Sequence, residues 1–324
     1  MRYFVTGCTG FIGIHLCRKL IAEGHEVFGL VRNPGKIPPD LLGRLKEIKG
    51  GLDIFERTDL VLPEVDVVVH LAGVITGRSC KDYERMNYES VVHLLACLNR
   101  QQWKPKRFIL ASSLAAAGPN RNSLNLRESD KAAPIEPYGL AKLRAEQLLK
   151  SQPFPTTAFR PPAVIGPGDP AMLTLFKMVN RGFAPLPSGK VQLLSYIYVG
   201  DLVDAVYIMS KEKSEEHKLY FTTADDVITN HDIIREIAAS LHKKALIMRI
   251  PKGLIWLIMV LSTATSYVFR TPNFYDYRQY KQMTAPAFVC AGELLTAETG
   301  WKAKTRLAEA IRLTALGYKE LKWL

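Results

Sequence analysis

Cysteine is scarce, with five in 324 residues, at positions 8, 17, 80, 97 and 290 and no Cys-x-x-Cys pair among them. A scattered, odd-numbered set excludes a disulfide framework and a cysteine zinc site, and it points to a reducing compartment. No metal site is expected. A secretory signal is not read either. Met1-Arg2 runs straight into an apolar strand and a glycine turn, without room for an apolar core and cleavage site, so the expected location is the cytoplasm. Charge runs are also missing. Lys and Arg outnumber Asp and Glu by 43 to 31, a net charge of +12, but the basic residues are dispersed and no nucleic-acid-binding motif appears. That balance suits an anionic cofactor or substrate, or peripheral contact with an acidic membrane surface, better than nucleic acid. Repeats and low-complexity segments are absent. The remaining composition, 48% hydrophobic and 23% charged, is that of a globular protein long enough for two domains.

What is present is concentrated at the start. The apolar run Tyr3-Phe4-Val5 enters Thr6-Gly7-Cys8-Thr9-Gly10-Phe11-Ile12-Gly13, and an amphipathic stretch follows. This reads as strand, tight turn and helix start. The glycines permit positive φ and close approach of a ligand. The amides and dipole of the helix N-terminus favour an anion such as a pyrophosphate. The dinucleotide fingerprint is Gly-x-Gly-x-x-Gly, and here the first gap is one residue wider. Taken alone, the trio also fits an ordinary strand-to-helix turn.

The next segments alternate. Val27–Val31 is expected as a second strand, residues 47–54 as a third, Val65–Gly73 as a buried parallel strand and Arg107–Ala111 as another, with a helix from about Tyr83 to Arg100 carrying Asn87. Dinucleotide folds keep an acidic residue near the end of the second strand for the ribose hydroxyls. Here Val31 is followed by Arg32, whose fork of donors suits a 2′-phosphate, so NADP is favoured over NAD. A solvated basic loop is the plain alternative. Asp53 could take the adenine amino group or be a loop aspartate. His70 is expected to be a satisfied core histidine. Ser112 and Ser113 end a strand, where open α/β sheets place their ligands. A loop rich in Asn, Ser and Gly then leads to about Pro137. Tyr138 and Lys142 lie four apart on a helix running through Leu149, so they can share one face. Thr156–Arg160 is a further strand, broken by Pro161-Pro162. Ser195–Asp201 is expected as a strand and helix N-cap, with the helix from Leu202 docking on the first domain.

The expected fold is therefore α/β: a doubly wound parallel sheet of Rossmann type with a smaller, mostly α C-terminal substrate lobe. The dinucleotide-binding domain takes 1–165 plus about 195–225, and the substrate lobe about 166–194 plus 226–324. The stretch from Gly253 to Phe269 holds no charged residue. Its serine- and threonine-rich second half makes it a buried or interfacial helix rather than a membrane span.

Together, Thr6-Gly7-x-x-Gly10-x-x-Gly13, His70-Leu71-Ala72-Gly73, Ser112-Ser113, Tyr138-x-x-x-Lys142, Arg160-Pro161-Pro162 with Gly166-Pro167, Tyr198-Val199-x-Asp201 and the Thr299-to-Ala310 segment resemble the extended branch of the short-chain dehydrogenase/reductase superfamily. That resemblance implies a nicotinamide cofactor and an acid/base at Tyr138. Lys142 would lower the phenol's pKa and hold the nicotinamide ribose, Ser113 would orient the substrate oxygen, and Asn87 would support them. It implies a cofactor set of Gly7, Thr9, Gly10, Phe11, Ile12 and Gly13 in the turn, Arg32 and Asp53 beyond the second and third strands, and Leu71, Ala72 and Gly73 after the fourth. Ser112, Tyr138 and Lys142 at the centre, with Pro161, Ala163 and Val164 after the sixth strand, complete it. Relatives of this kind often form homodimers through two helices.

Nucleotide-sugar epimerases of this branch carry an Arg four residues before the Tyr-Val-x-Asp motif, and Leu194 stands there instead. The expectation is an oxidoreductase acting on a secondary alcohol or ketone of a hydrophobic small molecule, sterol-like or isoprenoid. A nucleotide-sugar epimerase or dehydratase with retained cofactor is the alternative. A non-catalytic binding module on the same fold is disfavoured by the presence of both Tyr138 and Lys142.

Overall fold

The computed structural model describes residues 1–77, 79–120, 125–189, 191–269 and 276–324. Part of the loop before Pro137, at 121–124, lies outside them. Seven parallel strands form one sheet: β1 (Arg2–Thr6), β2 (Glu26–Val31), β3 (Leu45–Lys49), β4 (Val67–His70), β5 (Arg107–Ala111), β6 (Thr156–Arg160) and β7 (Lys218–Phe221). Their order is β7-β6-β5-β4-β1-β2-β3. The order reverses between β1 and β4, which pair with Thr6 opposite His70. Ligands of doubly wound sheets bind in the crevice beyond the carboxyl ends at that reversal.

The third strand is earlier and shorter than expected. It ends at Lys49, and Leu52–Glu56 turns as a 3₁₀ helix that carries Asp53. Leu45–Lys49 is mostly exposed, with only Leu45 buried, as befits an edge strand, whereas β4, β5 and β6 are buried throughout. Runs such as Val67-Val68-Val69 are apolar at every position because helices cover both faces of the sheet.

On one face, α1 (Phe11–Ala22) buries Leu16, Cys17 and Leu20, a one-turn repeat, and ends where Gly24 takes φ +76°. On the other, the segment from Cys80 enters α2 (Ser90–Arg100) through a π-helical turn at Arg85–Glu89. The expected single helix from Tyr83 is thus interrupted at Asn87. Helix α3 (Pro137–Leu149) starts on Pro137, whose missing N–H costs nothing there, with Glu136 Oε1 accepting from Gly139 N at 3.0 Å.

After β6 the chain builds α4 (Pro170–Asn180) and returns through Tyr196–Tyr198, which pairs with Ala163–Ile165 outside the main sheet. Helix α5 (Val199–Met209) begins at Val199, so Asp201 lies in its first turn and is not its N-cap as expected. Asp201 instead accepts from Thr305 N at 2.9 Å, tying the C-terminal segment down. Leu202, Ala205 and Val206 of α5 pack with Leu16 and Leu20 of α1, and Leu295 and Trp301 join the same cluster. Helices α6 (Asn230–Ser240), α7 (Lys252–Phe269) and α8 (Leu307–Glu320) follow. Phe176 and Val179 of α4, Ile233, Ile234 and Ile237 of α6, and Ile311 and Tyr318 of α8 form a separate core. Each such side chain contributes about 1.5–3 kcal/mol by leaving water.

Candidate active site

A cleft of about 780 Å³ opens at the carboxyl ends of β1, β4, β5 and β6. At one end lies the glycine turn. Gly7 has φ +73°, and a Cβ there would fall 2.8 Å from Ala72 N. A Cβ at Gly13 would fall 2.1 Å from Gly7 O. Both positions are therefore closed to any side chain, and β1, the turn and α1 stay packed tightly together. Gly10 caps α1 without a side-chain hydrogen bond, and no acidic residue sits in the first turn. The N-terminal amides and the positive end of the helix dipole thus face an anion unopposed. These residues fit the pyrophosphate of a dinucleotide.

At the centre, Tyr138 and Lys142 come from the first turns of α3, and Ser113 caps the short helix Leu114–Ala117 after β5. Ser113 Oγ accepts from Ala115 N at 3.2 Å, and its hydroxyl stands close enough to the Tyr138 phenol to favour the phenolate. The Tyr138 ring is partly open to the cleft, yet burial drives its phenol up to about 12, against the opposing influence of Ser113. Lys142 is buried, which pulls its ammonium down to about 8 despite Glu146 nearby. Its Nζ donates to Ala111 O at 2.7 Å and sits 5.9 Å from the Tyr138 ring centroid. Lys142 was expected to lower the phenol; in the fold the net shift is upward, set first by burial and then by the Glu136 and Tyr83 charges. The phenol keeps its proton at neutral pH.

Asn87 is buried in the π-helical turn. Its Oδ1 accepts from Val74 N at 3.1 Å, and its Nδ2 donates to Val74 O at 3.0 Å and Tyr83 O at 3.2 Å. This fixes the loop after β4, where a Cβ on Gly73 would meet Asn87 Oδ1 at 2.5 Å and Lys142 Nζ at 3.2 Å. Ser112 is engaged elsewhere. Its hydroxyl donates to Glu146, which holds Arg160 bidentately, with Nε and Nη2 at 2.8 and 2.6 Å. That buried ion pair braces α3 against β6 behind the reacting centre. His70 is only half satisfied. Nδ1 pairs with Thr6 Oγ1 at 2.8 Å, Nε2 has no partner, and burial holds the ring neutral, down to about 3.

The cleft brings together Gly7, Gly10, Phe11, Ile12, Gly13, Leu71, Gly73, Asn87, Ser112, Ser113, Tyr138, Lys142, Pro161, Ala163 and Val164. Thr9, Ala72, Arg32 and Asp53 do not line it. Arg32 and Asp53 lie beside one another across Gly51, at the exposed outer end of β2 and β3. Sequence reasoning missed most of the distal end: Ile75, Thr76, Met172, Thr174, Gln192, Gln279, Gln282, Met283 and Phe288, with Leu194 the one position singled out beforehand. They come from separate segments without a motif. Among the described lining residues the only charged ones are Lys142 and Asp169. Asp169 is buried and spends its carboxylate capping α4, accepting from Ala171 N at 2.8 Å and Met172 N at 3.3 Å.

Residues 3–221 match the model of the NAD dependent epimerase/dehydratase family. The chain is 25% identical to a ceramide reductase of Caulobacter vibrioides over 86% of its own length and 83% of that protein. It is 26% identical to a probable UDP-glucuronate 4-epimerase of Rhizobium meliloti over 96% and 95%. A structure of UDP-glucuronic acid 4-epimerase from Bacillus cereus, in complex with UDP-glucuronic acid and NAD, superposes with a TM-score of 0.78 at 21% identity, covering 99% of this chain and 100% of that one. The chain belongs to the NAD dependent epimerase/dehydratase family, one of oxidoreductases, epimerases and dehydratases.

Proposed function

We propose that this family member is an NADP(H)-dependent oxidoreductase that interconverts a ketone and a secondary alcohol on a hydrophobic small molecule. The observation that carries the reading is the distal cleft. Leu194, Met172, Met283 and Phe288 are apolar, and no described cation stands there to clamp a diphosphate. A nucleotide sugar would bring two phosphate charges into a space whose polar groups are neutral amides and hydroxyls, a costly desolvation without a partner. A relative named as a ceramide reductase is in keeping with an apolar substrate.

When bound, the nicotinamide supplies or accepts the hydride. The chain's own residues do the rest. Gly7, Gly10 and Gly13, with the uncapped start of α1, hold the pyrophosphate. Tyr138, protonated in the free protein, donates its proton to the carbonyl oxygen in reduction and recovers it in the reverse direction. Ser113 holds that oxygen against the phenol. Lys142, fixed by Ala111 O, keeps a positive charge near the developing phenolate. Arg32 at the end of β2, where no carboxylate stands, favours NADP over NAD.

A nucleotide-sugar epimerase is the second reading, favoured by the epimerase relative that spans nearly the whole chain. A thermal-shift comparison of NADP⁺, NAD⁺ and UDP-sugars, followed by NADPH turnover on a panel of lipophilic ketones, separates the two. We expect stabilisation by NADP⁺, none by UDP-sugars, and NADPH oxidation on at least one ketone. Stabilisation by a UDP-sugar without any ketone turnover would overturn the proposal in favour of the second reading.

A further inference from the structure

Helix α7 has more apolar surface than its packing uses. Ile255 and Met259, one turn apart, are buried against the protein, with Met259 only 1% exposed. An amphipathic helix on a folded core should carry polar residues on the opposite side. Here Leu254, Leu257, Ile258 and Leu261 share that opposite side at helical spacing and are 47%, 46%, 48% and 57% exposed. The surroundings have one sign of charge. From residue 237 to 275 the chain contains no Asp or Glu and five Lys or Arg. Lys243, Lys244, Arg249 and Lys252, on the approach to the helix and at its start, are all exposed.

We propose that α7 is a docking surface for an anionic lipid bilayer, lying in the interface with Leu254, Leu257, Ile258 and Leu261 turned into it. The basic residues at its start would meet the lipid phosphates. An apolar face flanked by lysines and arginines has this complementarity, whereas a two-fold contact between copies would set like-charged patches against each other. The helix lies on the surface rather than spanning it: among the described residues no helix is long and apolar enough to cross a membrane. Docking would also set the cleft beside the lipid. Tyr277 N donates to Thr263 Oγ1 of α7 at 3.1 Å, and two residues on Gln279 lines the cleft and donates to Ile75 O at 2.9 Å. The inference stands on this surface alone and does not depend on the substrate proposed above.

The test is cosedimentation of the full chain, without substrate, with vesicles of phosphatidylcholine alone or mixed with phosphatidylglycerol, at low and high salt. We expect binding to the phosphatidylglycerol vesicles that salt weakens. We expect it to fall by about tenfold or more both in Leu257→Asp/Leu261→Asp and in Lys243→Glu/Lys244→Glu, with melting temperatures and NADP⁺ stabilisation unchanged. A wild-type chain that stays in the supernatant with every vesicle would overturn the proposal, as would variants that bind like wild type. A dimer in sedimentation equilibrium that Leu257→Asp/Leu261→Asp dissociates, without vesicle binding, would assign the face to a second copy instead.

Discussion

At one end of the cleft the walls are backbone: Gly7 and Gly13 packed so tightly that a methyl would strike a peptide group, and strand ends buried on all sides. At the other end the walls are the half-buried side chains of Met172, Leu194 and Gln192, from α4 and from the strand segment before Tyr196, outside the main sheet. The first end can hold one kind of ligand, because its shape is set by main-chain geometry that no substitution short of a glycine loss alters. The distal end is a set of replaceable side chains. One fold can therefore keep its cofactor while its substrate changes, which is how reductases and sugar epimerases come to share this family.

The contrast is sharpest at the glycine end, where the largest effects are expected. Gly13→Val would drive a Cβ to about 2 Å from Gly7 O, so the turn must open or α1 must shift. The expected outcome is no saturable NADP⁺ binding in calorimetry and a lowered melting temperature. A Gly13→Val chain that bound NADP⁺ like wild type would show the turn is not the dinucleotide cradle. Next comes Tyr138→Phe, which removes one oxygen and keeps the ring. Turnover should fall by about 10²–10⁴-fold, with NADP⁺ affinity within a factor of a few. Retained turnover would move the proton donor elsewhere.

The glycine end was legible because its physics is local. A wide glycine spacing, small residues after β4 and serines after β5 stand at strand ends whatever the rest of the chain does. Tyr138 and Lys142 were legible for the same reason, since four residues on one helix fix their neighbourhood. Their protonation was not, because desolvation depends on what the whole fold stacks around them: Lys142 was expected to lower the phenol, and burial raises it instead. Ser112 lines the cleft as expected, while the partner of its hydroxyl, Glu146, is set by the packing of α3 on β6 and had no sequence signal. The distal end had no signal beyond Leu194. Met283 and Phe288 reach it through tertiary packing, and single apolar residues in unpatterned segments look like any core.

The buried lysine gives a smaller, pH-dependent effect at the junction of the two ends. Burial lowers the folded pKa of Lys142 to about 8, below its ordinary value near 10.5. Between those values the unfolded chain binds the proton and the folded one does not, so this group makes stability rise with pH across that window. Below pH 8 both states are charged, and the folded state carries the whole desolvation cost, on the order of 3 kcal/mol for a shift of this size. Lys142→Met, of similar length and without the charge, should be more stable than wild type near pH 7, and the gap should close towards pH 10. Denaturant melts of both proteins across that range measure the difference directly. A constant gap would mean that Lys142 is not the titrating group.

The smallest effect belongs to the outermost residue. Arg32 is exposed at the end of β2, outside the cleft lining, and faces Asp53 across Gly51. On the NADP reading proposed above, Arg32 would meet the part of the dinucleotide furthest from the chemistry, so removing it should leave turnover at saturating cofactor unchanged. On that reading it would contribute one charge-assisted contact in a solvated place, where ionic screening is strong. Arg32→Ala should weaken NADP⁺ about tenfold, leave NAD⁺ unaltered, and lose most of that discrimination in high salt. Calorimetric titrations of both cofactors at two salt concentrations read this out. Equal weakening for NADP⁺ and NAD⁺ would mean that Arg32 acts on the shape of the β2 end. Cofactor choice would then lie with the backbone of the glycine end, and the line between fixed cradle and replaceable wall would run further out than β2.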